Sequence, residues 1–70
     1  MITNHLSEIM GRKRLKISDV LNGTGLARNT VAELYHGRAK RVDMETLDKL
    51  CTYLGVEVGE LLTHEKSTDN

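Results

Sequence analysis

The sequence predicts an all-α fold, a bundle of five short helices around one core, and three observations carry that prediction. Apolar residues recur at helical spacing in successive stretches, and glycines stand just past three of them, at Gly25, Gly37 and Gly55. Proline is absent, so nothing breaks a helix from within. Aromatic residues make up 3% of the chain, with neither Phe nor Trp, so the core must be aliphatic, which suits packed helices better than a small β-barrel.

The first helix is expected over residues 4–14, with Asn4 as N-cap, Leu6, Ile9 and Met10 on its inner face, and Arg12 and Lys13 near its negative end. A hinge at Leu15 and Lys16 leads to a short second helix carrying Ile17, Val20 and Leu21. It runs out at Asn22-Gly23-Thr24-Gly25, where Gly25 suits the left-handed conformation that ends helices. A third stripe, Ala27, Val31, Leu34 and Tyr35, stops at His36-Gly37 and gives way to the basic loop Arg38-Ala39-Lys40-Arg41. Asp43 is a good N-cap for a fourth helix with the stripe Met44, Leu47, Leu50, Cys51 and Leu54. Val56, Val58, Leu61 and Leu62 suggest a short fifth helix packing back on the core.

A chain of 70 residues holds one domain, here expected over residues 1–63 and followed by a polar tail, residues 64–70, expected to be disordered. No signal-like start or membrane-length apolar run is present, and the lone Cys51 forms no internal disulfide, which together predict a cytoplasmic protein. Cys51 falls on the apolar stripe and reads as a core residue. His5, His36 and His64 are scattered, with no partners at ligand spacing, and Ser7 and Ser18 lack a paired His and acid. Hence no metal, no cofactor and no enzymatic activity are expected.

Net charge is zero, but its distribution is uneven. Residues 1–41 carry eight basic against three acidic side chains, a surplus of five positive charges, and residues 42–70 carry two against seven. One end is thereby suited to a polyanion.

Two short helices joined by a tight glycine turn can place the second of them in the major groove of DNA. Here Val20, Leu26, Val31 and Leu34 supply apolar contacts on both helices, with Gly25 at the bend, where a side chain is expected to crowd the crossing. The stretches Thr24-Gly25-Leu26-Ala27-Arg28-Asn29-Thr30-Val31 and Leu34-Tyr35-His36-Gly37-Arg38-Ala39-Lys40-Arg41 resemble the phage-repressor-like helix-turn-helix family, also called Cro-type or XRE-type. The downstream Leu47-Asp48-Lys49-Leu50-Cys51, Leu54-Gly55-Val56 and Leu61-Leu62 look like that family's fourth and fifth helices, so the resemblance spans residues 6–62. It implies a lambda-repressor-like domain that binds double-stranded DNA as a transcriptional regulator, usually a repressor, and usually as a homodimer, here one that could form only on DNA.

With Val31 and Leu34 turned inward, about 100° per residue directs Asn29, Ala32, Glu33 and His36 outward, with Arg28 and Thr30 on the flanks. The expected base-reading set is Arg28, Asn29, Thr30, Ala32 and Glu33. Arg28 can fork onto guanine, Asn29 can pair with adenine, Glu33 can accept from cytosine, and Thr30 or Ala32 can meet the thymine methyl. Phosphate contacts are expected from Arg38, Lys40, Arg41 and His36, and from backbone N–H groups near Ile17 and Met44. Arg12, Lys13, Arg14 and Lys16 either track a further phosphate or serve only their own helix dipole.

Three residues depart from the family pattern. Leu21 stands where Ala is usual at a close helix crossing, Ile17 where a phosphate-gripping Gln is frequent, and Ala27 where Ser or Thr usually caps the third helix. The expected dimer seam is residues 56–62. A second reading makes the same fold an antitoxin or adaptor that binds a protein partner, a reading that zero net charge and the acidic second half keep open.

Overall fold

Five helices form, but the two ends of the chain meet as strands. The computed structural model describes residues 1–66. In chain order it contains β1 (Ile2–Asn4), α1 (Leu6–Arg12), α2 (Ile17–Thr24), α3 (Arg28–Tyr35), α4 (Met44–Leu54), α5 (Val58–Leu61) and β2 (Leu62–His64). The strands pair antiparallel with Ile2 opposite His64, Thr3 opposite Thr63 and Asn4 opposite Leu62. The all-α expectation is therefore corrected to a mostly helical domain closed by a two-stranded sheet.

This sheet moves several expected boundaries. The first helix starts at Leu6 rather than Asn4, because Asn4 belongs to β1; its side chain nonetheless accepts the Leu6 N–H at 2.9 Å and donates to the Leu34 carbonyl at 2.8 Å, tying β1 to the end of α3. The fifth helix is only Val58–Leu61, since Leu62 is already in β2. His64, assigned to a disordered tail by the sequence, pairs with Ile2, and residues 67–70 of that expected tail lie outside the described residues. His5 links the sheet to α1, its ring meeting Thr63 Oγ1 at 2.8 Å and Glu8 Oε1 at 3.1 Å.

The core is aliphatic as expected: Leu6, Ile9 and Met10 of α1, Val20 of α2, Val31 and Leu34 of α3, Leu50 and Leu54 of α4, and Leu61 of α5 are all buried. On α4 the expected stripe is rotated at its start. Met44 is 83% exposed, and Thr46 takes the inward position, because its hydroxyl donates to the carboxylate of the N-terminal Asp43 and so enters the interior with its polar group satisfied.

Helices α2, α3 and α4 end at Gly25, Gly37 and Gly55, while α5 runs straight into β2 and α1 ends without a glycine. After α3, Gly37 adopts φ 72°, the Arg38 N–H reaches the Glu33 carbonyl at 2.8 Å and the Gly37 N–H the Leu34 carbonyl at 3.1 Å, the paired bonds of a Schellman ending. The same pair closes α1, from Leu15 N–H to Met10 (2.8 Å) and from Arg14 N–H to Gly11 (3.2 Å), but the left-handed residue there is Arg14, at φ 56°. Glycine's advantage in that conformation is thus forgone.

Candidate nucleic-acid interface

The turn between α2 and α3 is made by backbone and by one hydroxyl. Gly25 ends α2 at φ 74°, its N–H bonded to the Leu21 carbonyl at 2.9 Å. Thr24 Oγ1 donates back to the Val20 carbonyl at 2.7 Å and accepts the Leu26 N–H at 3.2 Å, so it braces both sides of the bend. Helical periodicity assigns Thr24 no role. It also misplaces the crowding: a Cβ on Gly25 would meet nothing within 4 Å, whereas one on Gly23 would overlap the ring of Tyr53 from α4. Gly25 is required for its dihedral angle, and Gly23 for the close approach of α2 to α4. Leu21 is accommodated half-buried against the core.

Val31 and Leu34 anchor α3 inward, against α1 and α2. Its first turn consequently faces out. Arg28 and Asn29 are exposed; Thr30, Ala32 and Glu33 are half-buried and keep part of their surface in solvent. Ala27 precedes the helix in extended conformation and supplies no side-chain cap, and no acidic residue lies in the first turn. Those first N–H groups and the positive helix end have no partner from the side chains nearby.

The following loop comes back alongside. A groove of ≈ 660 Å³ is lined by Asn29, Thr30 and Glu33 from α3 and by Arg38, Lys40 and Arg41 from the loop, which unites much of the expected base-reading and phosphate-binding sets on one surface. Within it Arg38 donates to Glu33 Oε2 from Nε at 3.1 Å and from Nη2 at 3.0 Å. This partly exposed pair is of the class worth about 0–1 kcal/mol, so an incoming phosphate can compete for Arg38. Among the described residues Arg28, Lys40 and Arg41 have no carboxylate within salt-bridge distance.

The remaining expected contacts are less uniform. His36 caps the end of α3, exposed, with the Tyr35 ring edge-on to it at 5.1 Å. Ile17 is half-buried at the start of α2, and there Asp19 already accepts the Lys16 N–H at 2.8 Å, so a carboxylate occupies part of that helix end. Met44 begins α4 beside Asp43, whose carboxyl is held below the ordinary Asp range, chiefly by the Thr46 hydroxyl. Cys51 is pushed the other way by burial and by the nearby Glu57, Asp48 and Glu60, which keeps its thiol protonated at neutral pH. These three acids line no part of the α3 groove.

Residues 5–67 match a family model described as the Cro/C1-type HTH DNA-binding domain. The chain belongs to that family. No curated protein matches it. As a Cro/C1-type domain it is a helix-turn-helix DNA-binding domain of the kind found in transcription regulators. No helix among the described residues is long and apolar enough to cross a membrane.

Proposed function

We propose that this Cro/C1-type domain binds duplex DNA sequence-specifically, laying α3 in the major groove, and regulates transcription as a repressor by occupying its site. The observation that carries the proposal is the first turn of α3, without an acid or a side-chain cap and with Arg28 and Asn29 exposed, beside a groove that Asn29 shares with Lys40 and Arg41, which have no ion-pair partner among the described residues. Arg28 and Asn29 are the principal base readers, and Thr30, Ala32 and Glu33 extend the contact as far as their partial exposure allows. Arg38, Lys40 and Arg41 grip phosphate, with His36 and the backbone near Ile17 and Met44 as lesser contacts. Two copies bind two-fold related half-sites about 34 Å apart, one turn of the duplex.

Selection of bound duplexes from a random pool, followed by mobility shifts across a salt series, tests this. Arg28→Ala is expected to cost roughly 1–3 kcal/mol on the selected duplex and to relax preference at one base. Lys40→Ala instead weakens all duplexes alike and flattens the salt dependence. Equal losses for Arg28→Ala on selected and random duplex would remove its reading role. A stoichiometric protein partner together with no salt-sensitive DNA affinity would transfer the fold to the antitoxin or adaptor reading.

A further inference from the structure

The half-buried side chain of Asn4 joins three elements at once. Its Oδ1 accepts the Leu6 N–H, the first of α1, at 2.9 Å, and its Nδ2 donates to the Leu34 carbonyl in the last turn of α3 at 2.8 Å. The two partners fix the orientation of the amide, since an N–H needs the oxygen and a carbonyl needs the nitrogen. A carboxylate here would offer Leu34 no donor. A serine hydroxyl could still turn to the Leu6 N–H two residues on, but it ends one bond short of Leu34.

The Leu34 carbonyl is where α3 turns into its loop. It also accepts the Gly37 N–H at 3.1 Å, one of the two bonds of the Schellman ending from which Arg38, Lys40 and Arg41 follow. Val31 and Leu34 hold α3 to the core by apolar contact, which is non-directional. Among the described residues, the bond from Asn4 is the one hydrogen bond that reaches residues 27–42 from the rest of the chain. Beyond it β1 and the loop do not close on each other: a groove of ≈ 430 Å³ opens there, lined among others by Ile2, Asn4, Gly37, Lys40 and Arg41. On its other side the anchor is firm, because the His5 N–H reaches the Leu61 carbonyl at 2.8 Å and the His5 ring meets Thr63 Oγ1 at 2.8 Å.

We propose that Asn4 is a positioning residue for DNA reading: it holds the end of α3, and with it the loop carrying Arg38, Lys40 and Arg41, at one offset from the base formed by α1 and the sheet. Phosphate contacts set the orientation in which a reading helix meets the bases. On a matched duplex the readers at the start of α3 and the phosphate grips after its end must therefore be satisfied together. On an unmatched duplex the grips act alone, and a loop that shifts loses little. Asn4 thus sharpens discrimination while acting only through Leu34. The role rests on the DNA-reading proposal above and adds to it a residue outside the contacting set.

Two neutral variants of the full chain separate the two bonds. Asn4→Ser keeps an acceptor for the Leu6 N–H and loses the bond to Leu34, and Asn4→Ala loses both. Residual dipolar couplings of the DNA-free proteins give the orientation of α3 and of residues 38–42 relative to α1, and mobility shifts give the ratio of affinities for selected and random duplex. Asn4→Ser is expected to keep the helical spectrum, to move the Leu34 carbonyl carbon resonance upfield, and to reorient residues 34–41. It should lower the affinity ratio about five- to tenfold, the scale of one hydrogen bond, and change random-duplex affinity by less than about twofold. Asn4→Ala should lose the ratio equally and, with the Leu6 N–H also deprived of its side-chain partner, melt at a lower temperature. Given a wild type that prefers the selected duplex, the proposal is overturned if Asn4→Ser folds and leaves either the orientation of α3 or the affinity ratio unchanged. It is overturned equally if Asn4→Ser retains the ratio that Asn4→Ala loses, since the bond to Leu6 would then be the one that matters. A wild type with no preference, in which Asn4→Ser still reorients α3, would sink the DNA-reading proposal and leave the hold of Asn4 on α3 standing.

Discussion

Helices α3 and α4 each follow a residue in extended conformation, Ala27 (φ −70°, ψ 145°) and Asp43 (φ −87°, ψ 162°), but their first turns are furnished differently. At α4 a carboxylate stands at the positive end, Thr46 hydrogen-bonds to it, Glu45 lies in the first turn, and Lys49 sits 3.5 Å from Glu45 one turn on. At α3 the cap is a methyl group, the first turn has no acid, and an arginine and an asparagine project outward. Neither helix has a side-chain hydrogen bond to its first N–H groups, so what sets α3 apart is the absence of an acid in its first turn, which leaves its positive end open to an anion.

The contrast can be broken or sharpened by substitution. The largest expected effect is Leu50→Ala on the fully buried face of α4, which should cost about 2–5 kcal/mol in denaturant unfolding, against almost nothing for Arg28→Ala in the same measurement. Next is Ala27→Ser, which supplies the missing cap of α3 and should raise stability by about 1 kcal/mol. Ala27→Asp should also stabilise the free protein but weaken DNA binding at low salt, because its charge would meet phosphate; unchanged affinity in a mobility shift would separate α3 from the DNA. Arg14→Gly relieves the left-handed strain at the end of α1 and should gain less than about 1 kcal/mol, part of the relief being offset by glycine's greater freedom when unfolded.

The smallest effect is a pH dependence at the start of α4. Asp43 has its pKa lowered in the folded state, so its contribution is complete above the ordinary Asp value of about 3.9 and fades as pH falls through the depressed folded value. Thr46→Val removes the main cause, and its acid unfolding curve should lose that component while Leu50 and Leu54 still pack. An unchanged acid limb would show that the hydroxyl does not hold the carboxylate charged.

What could be read in the sequence was local. Val20, Val31, Leu34, Leu50 and Leu54 fall on 3.6-residue stripes, and Gly25, Gly37 and Gly55 each need a positive φ, so the helices and their stops were visible in a short window. The sheet was not, because Ile2-Thr3-Asn4 and Leu62-Thr63-His64 are too short to show alternation and their partners lie some sixty residues apart. Arg14 hid the end of α1, since it takes a glycine's conformation without being one. Thr46 displaced Met44 from the expected stripe because a hydroxyl next to the Asp43 carboxylate can be buried at little cost, a pairing that apolar periodicity cannot see. At the candidate interface, the exposure of Arg28 and Asn29 followed from the helical wheel. The Glu33–Arg38 pair did not, because it crosses a Schellman turn and depends on how that turn swings the loop back over α3.

The central claim is that the open end of α3 and the loop after it form one DNA-contacting surface. Titration of the labelled protein with its selected duplex, followed residue by residue through the backbone amide resonances, tests it most directly. The account predicts the largest shifts at residues 27–33 and 38–44 and little change at Asp48, Glu57 and Glu60. Shifts concentrated on those acids, with α3 silent, would contradict it.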